Sequence, residues 1–146
     1  MKPEKQEFVE LKKIAVVGVS KTRPRAFGNY ALKALRARGY QVFPVNAHAD
    51  EVDGERCFRR LEDLPEPVEA VLSVVKPEQS VKIVEDCARL GIKRVWMQQG
   101  SESADAVKLC RDKGITEVHG ACALMYLRPD GLHKFHRWIS DLIGKQ

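Results

Sequence analysis

The sequence predicts an α/β, Rossmann-like doubly wound domain: a parallel five-stranded sheet of order 3-2-1-4-5 with helices on both faces. Two observations carry that expectation. Short, valine-rich apolar runs recur at residues 14–17, 42–45, 68–75, 94–97 and 116–118, and such continuous runs suit parallel strands covered on both sides. Three intervening segments end alike, in RARGYQVF, ARLGIKRV and RDKGITEV, where a cationic last turn meets Gly39, Gly91 or Gly114 and then a strand.

The elements follow in order. The first strand stops at Gly18, and a loop carries the chain to a helical stripe at Ala31, Leu32 and Leu35. The second strand ends at Asn46. Residues 48–67 are polar and proline-bounded, with Asp53-Gly54 as a turn signal and Leu61 and Leu64 as apolar anchors, so a short irregular link replaces the expected helix. After the third strand, the spacings Val81, Val84, Ala88 and Ala106, Val107, Cys110 predict two further helices, each returning to a strand. A turn at residues 128–131 then leads to a last helix over 130–143. A chain of 146 residues, 44% hydrophobic, fits one domain, 1–146, with its core over about 8–127.

Composition narrows the function. The first thirteen residues are charged and hold no long apolar run, so a signal peptide and a membrane span are not expected, and the cytoplasm is. Cysteines 57, 87, 110 and 122 form no C-x-x-C pair, which favours reduced thiols over disulfides or a structural zinc site. His133 and His136 have no third ligand beside them in sequence, and no metal is expected. The formal charge of +5 is spread among carboxylates, and no basic run is interleaved with aromatics, so specific nucleic-acid binding is not expected.

The loop after the first strand carries the chemistry. A dinucleotide fingerprint sets three glycines within six residues, whereas GVSKTRPRAFG has them only at Gly18 and Gly28. Backbone amides near Ser20 and the helix start near Gly28 can still meet phosphate oxygens, and Lys21, Arg23 and Arg25 add full charges. The second strand ends in PVNA, without the carboxylate that holds the ribose hydroxyls of NAD, and Asp50 and Glu51 lie too far on to serve. These features describe a phosphate site for a ligand more anionic than NAD.

Gly18-Val19-Ser20, Gly39-Tyr40, Pro44-Val45-Asn46, Gly54, Leu64-Pro65, Lys76-Pro77-Glu78, the run from Val95 to Gly100 and Cys122 together resemble the small stand-alone CoA-binding domain family. That family is similar to the CoA-binding domain of the succinyl-CoA synthetase α subunit. The resemblance implies that coenzyme A lies across the carboxyl edge of the sheet. Gly18, Val19, Ser20 and Arg23 would line the first loop, and Pro44, Val45 and Asn46 would flank the nucleotide. Val75, Lys76 and Pro77 would form a wall, and Gln98, Gln99 and Gly100 the floor. The synthetase's phosphorylated histidine belongs to a domain outside the resemblance, so acyl-CoA synthesis is not implied.

Three readings stay open: a protein that holds CoA or an acyl-CoA without catalytic residues, a CoA-dependent enzyme needing a partner domain, and an NAD(P)-binding regulator. Cys122 is either a small packing residue or a thiol that forms a mixed disulfide with CoA. A homodimer or a protein partner is compatible with each.

Overall fold

The computed structural model describes residues 13–119. The chain runs β1 (Lys13–Val17), α1 (Phe27–Ala37), β2 (Gln41–Val45), a hairpin of β3 (Glu51–Val52) and β4 (Glu55–Arg56), a 3-10 turn (Leu61–Asp63), β5 (Ala70–Ser73), α2 (Pro77–Leu90), β6 (Arg94–Met97), α3 (Ala104–Asp112) and β7 (Thr116–Val118). The five long-range strands pair in parallel, as the apolar runs predict. The last helix expected at 130–143 and Cys122 lie outside the described residues.

Alternation along each strand divides the core in two. Ile14 and Val16 face α1 and pack with Ala31, Leu32 and Leu35. Ala15 and Val17 face the other way, toward Val84 and Cys87 of α2 and Ala106 and Cys110 of α3. Helices therefore cover both faces, as a doubly wound domain requires. The helix ends are built from local chemistry: Pro77 opens α2 where its missing N–H costs nothing, and Ser103 caps α3 by accepting from the Ala106 amide at 3.1 Å. Gly39, Gly91 and Gly114, read as left-handed caps, have φ of 92°, 76° and 70°.

The strand order differs from the expectation. The sheet runs β2-β1-β5-β6-β7, which is 2-1-3-4-5 in order of the long strands and not 3-2-1-4-5. Right-handed crossovers permit both, and a proline decides between them. In β2, the carbonyl of Pro44 points away from β1 and accepts from the Phe58 amide at 3.0 Å, while Val45 supplies the carbonyl that meets β1 through Gly18. The N–H that Pro44 lacks would point to the same outer side, so a full strand cannot pair there and β2 must be an edge. Among the described residues a single bridge, Val45 to Phe58, forms beyond it. The third long strand crosses back over the α2 face and pairs with β1 in the register Ile14 to Ala70.

The irregular link contains no α-helix, as expected, but does hold a hairpin that its pattern did not predict. Asp53 and Gly54, with φ of 52° and 79°, form its two-residue turn. Among the described residues no helix is long and apolar enough to cross a membrane.

Three cysteines, Cys57, Cys87 and Cys110, are free and buried. Burial pushes the thiols of Cys87 and Cys110 up, Cys110 to about 11, and raises the Tyr40 hydroxyl as well. In the unfolded chain these groups release their protons near 9.0 and 10.0, so above that range the unfolded state binds fewer protons than the folded one. The stability these buried groups contribute is therefore fully present below pH 9 and falls as pH rises from there toward 11, Cys87 and Cys110 together, because both thiols ionise near 9.0 once unfolded. Urea midpoints measured across this window should decline steadily. The same thiols should resist iodoacetamide at neutral pH until the chain unfolds, as mass spectrometry would read. A flat midpoint with rapid alkylation of the native protein would contradict the buried, protonated state.

Candidate coenzyme site at the sheet's carboxyl edge

In a sheet of order 2-1-3-4-5 the chain leaves β1 and β5 in opposite directions, and a crevice opens at their carboxyl ends. Here it is a cleft of about 780 Å³. Its base is set by a close approach: a Cβ built on Gly18 would stand 2.7 Å from the Val74 carbonyl oxygen, and Gly18 has φ of 107°. Gly28 plays a related part beneath the loop, where an added Cβ would lie 3.1 Å from the Gly18 oxygen. The start of α1 thereby rests directly on the loop.

The loop is tied by three side chains. Ser20 Oγ accepts from the amides of Arg23 at 2.9 Å and Thr22 at 3.3 Å, which closes a tight turn. Asn29, fully buried in the first turn of α1, accepts from the Ser20 amide at 2.7 Å and donates to the Ser20 carbonyl at 2.9 Å. Asn46 donates from Nδ2 to the Val19 carbonyl at 2.6 Å and accepts from the His48 amide at 2.7 Å, joining the loops after β1 and β2. The Ser20 amide is thus spent on Asn29 of α1 and the Thr22 and Arg23 amides on Ser20 Oγ, so these three donors near Ser20, expected from the sequence to meet phosphate oxygens, are already occupied. The first turn of α1 carries no side-chain cap and no acidic residue.

Charge at the cleft is unequal. Lys21, Arg23, Arg59, Arg60, Lys76 and Lys82 line it, opposed by Glu78 and Asp86. Arg59 holds Asp50 through two contacts of 2.8 and 3.1 Å, and that guanidinium keeps the Asp50 carboxyl below its usual range. Arg60 pairs with Glu62 and Asp63, and Lys82 with Asp86. Among the described residues, Lys21, Arg23, Arg25 and Lys76 form no ion pair, so their charge is available to an anion.

The structure brings Gly18, Val19, Ser20, Lys21, Arg23, Val45, Asn46, Val75 and Lys76 together on this cleft. It does not bring all the expected residues there. Arg25 stands exposed further along the loop, Pro44 lies inside β2, and Pro77 begins α2. Gln98, Gln99 and Gly100 follow β6, which β5 separates from β1; in the expected order that strand would have adjoined β1, whereas here Val75 and Lys76 take the place beside it. The Gln98 amide donates to the Ser73 carbonyl at 2.9 Å, and the Gly100 amide to Glu102 at 2.9 Å.

Sequence reasoning missed His48, Arg59, Arg60 and Leu61, which close the cleft from the link. Their signal was Phe58, an apolar residue that adds to the sheet edge and returns the link to the carboxyl side. Asn29 was also missed. It falls three residues before Leu32 on the buried stripe of α1, where a polar side chain requires partners.

The chain matches the CoA binding domain family over residues 12–128. It is 31% identical over 124 residues to the uncharacterized protein YneT of Bacillus subtilis, covering 82% of this chain and 91% of that protein. A conserved hypothetical protein from Pyrococcus furiosus superposes with a TM-score of 0.71 at 34% identity, over 77% of this chain and 97% of its own. The ADP-forming acetate–CoA ligase of Methanocaldococcus jannaschii is 28% identical over 82 residues, 56% of this chain but only 12% of the ligase.

Proposed function

The chain belongs to the CoA-binding domain family, and we propose that it holds coenzyme A, or an acyl-CoA, in the cleft between β1 and β5 without catalytic residues of its own. The observation that carries this reading is the end of β2. Asn46 spends its carboxamide on Val19 and His48, and the first carboxylate after it along the chain, Asp50, is held by Arg59, so neither is arranged to accept the two ribose hydroxyls of NAD. Lys21, Arg23 and Lys76 instead offer unpaired positive charge to a ligand with a diphosphate and a separate phosphate. Coenzyme A is such a ligand.

Calorimetry with CoA, dephospho-CoA and NAD tests the proposal. CoA should bind most tightly, dephospho-CoA more weakly for want of the third phosphate, and NAD most weakly. Binding of NAD equal to that of CoA would reject it. Native mass spectrometry before and after reduction would add whether any retained CoA is attached through a thiol such as Cys122.

The ligase similarity favours a second reading, in which this domain supplies CoA to chemistry carried out by a partner chain. The two readings separate in a turnover assay. Free thiol released steadily from acetyl-CoA or succinyl-CoA by the chain alone would contradict the first.

A further inference from the structure

We infer that Asn29 and Asp53 form a positioning pair, through which the hairpin turn after β3 holds the cationic loop in its ligand-receiving shape. The inference rests on the proposal that the cleft binds CoA, and it concerns residues that do not line the cleft.

The carboxamide of Asn29 behaves as a substitute peptide group. Its Oδ1 accepts from the Ser20 amide at 2.7 Å, and its Nδ2 donates to the Ser20 carbonyl at 2.9 Å, so both backbone groups of one residue are satisfied by one side chain. Two protons are available on Nδ2, and the second reaches Asp53 Oδ2 at 3.2 Å. That contact and the two to Ser20 all require the same orientation of the amide. Flipped, Asn29 would set an oxygen against the Asp53 carboxylate and another donor against the Ser20 N–H.

Each end is secured independently. Asn29 is wholly buried at the start of α1. Asp53 occupies the left-handed position of a two-residue turn with φ of 52°, and its carboxylate lies 3.9 Å from Lys33 on α1. Ser20, held by Asn29, uses its hydroxyl to fix the Thr22 and Arg23 amides. The path from Asp53 through Asn29 to Ser20 thus ends beside Lys21 and Arg23. A loop so braced gives up less entropy when an anion arrives.

Neighbouring residue types do not reproduce the arrangement. Aspartate at position 29 keeps the acceptor for Ser20, loses both donors and faces Asp53 with like charge. Alanine loses everything.

The test uses the full chain. In the unliganded protein, amide hydrogen exchange at Ser20 and Arg23 should be protected. Asn29→Ala should speed it at both sites while leaving Leu32 and Leu35, inside α1, unchanged. CoA affinity by calorimetry should fall about tenfold in Asn29→Ala. It should fall further in Asn29→Asp, and Asp53→Asn alone should cost only a few fold. Adding Asp53→Asn to Asn29→Asp should restore part of the loss, because the new amide donates where a carboxylate repelled. General loosening of the fold would not be rescued in this way. Unchanged exchange at Ser20 and Arg23 in Asn29→Ala, or a double variant no better than Asn29→Asp, would overturn the inference. If the unmodified chain bound no CoA, the functional reading would fail, while the exchange measurements would still decide the bracing. Should Asn29→Ala fail to fold, Asp53→Gly, which removes the acceptor for Asn29 Nδ2 and suits φ of 52°, would still have to raise exchange at Ser20.

Discussion

Gly18→Ala should lower stability by about 3 kcal/mol, enough to drop the melting temperature of a chain this size by roughly 10 °C. Two costs combine. At φ of 107° any residue with a Cβ is strained, and that Cβ would stand 2.7 Å from the Val74 oxygen and 2.8 Å from its carbonyl carbon. The obstacle is backbone at the end of β5, and it cannot rotate aside. Relief would come only by moving the Val74-Val75 wall, so CoA affinity should fall as well. Gly100→Ala supplies the control, since Gly100 has φ of 95° but a Cβ there would meet nothing within 4 Å. It should cost only the conformational part, about 1–2 kcal/mol. Equal losses in the two variants, measured by thermal and urea unfolding, would show that the close approach of β1 and β5 does not hold.

Arg23→Ala should weaken CoA binding by about 1–3 kcal/mol while leaving the melting temperature of the empty protein almost unaltered. The Arg23 side chain is exposed and forms no ion pair among the described residues, so its removal costs the empty fold little. Bound to a phosphate, the same guanidinium would make charge-assisted hydrogen bonds. Lys21→Ala should act in the same direction, and the double variant should lose more than either. Arg59→Ala should cost less, because Arg59 must leave Asp50, at 2.8 Å, before it can serve a ligand. Asp50→Asn should then strengthen CoA slightly by freeing that charge. If Arg59→Ala cost more than Arg23→Ala in calorimetry, the ligand's main phosphate contact would lie on the link and not on the first loop.

Much of the fold was legible because its determinants are local. Valine-rich runs bounded by glycine and proline need no knowledge of their partners to be extended and buried, and a cationic last turn followed by glycine ends a helix wherever it packs. The cationic loop was legible for the same reason: Lys21 and Arg23 lie three and five residues after Gly18 and so stay near the end of β1. Pro44 suits an edge position for β2, since its missing N–H lies on the outer side of that strand, but it does not by itself say which strand adjoins β1. Reading it required knowing which side of the strand faced β1.

By itself, then, the sequence determined the parallel α/β class, the helix and strand junctions, the Asp53-Gly54 turn and a cationic loop after β1, with Asn46 and not a carboxylate at the end of β2. Membership of the CoA binding domain family agrees with that reading of the ligand class. The tertiary structure alone decided that β5 adjoins β1, which sets Val75 and Lys76 at the cleft and leaves Gln98 to Gly100 beyond β5. It also decided that Arg59 and Arg60 close the cleft and that Asn29 meets Ser20 and Asp53, contacts that join positions 9 and 24 residues apart. The physical reason is one of range. Strand and helix formation is governed by neighbours along the chain, whereas strand order and buried polar pairing depend on which distant segments the packing of the whole sheet brings within hydrogen-bond reach.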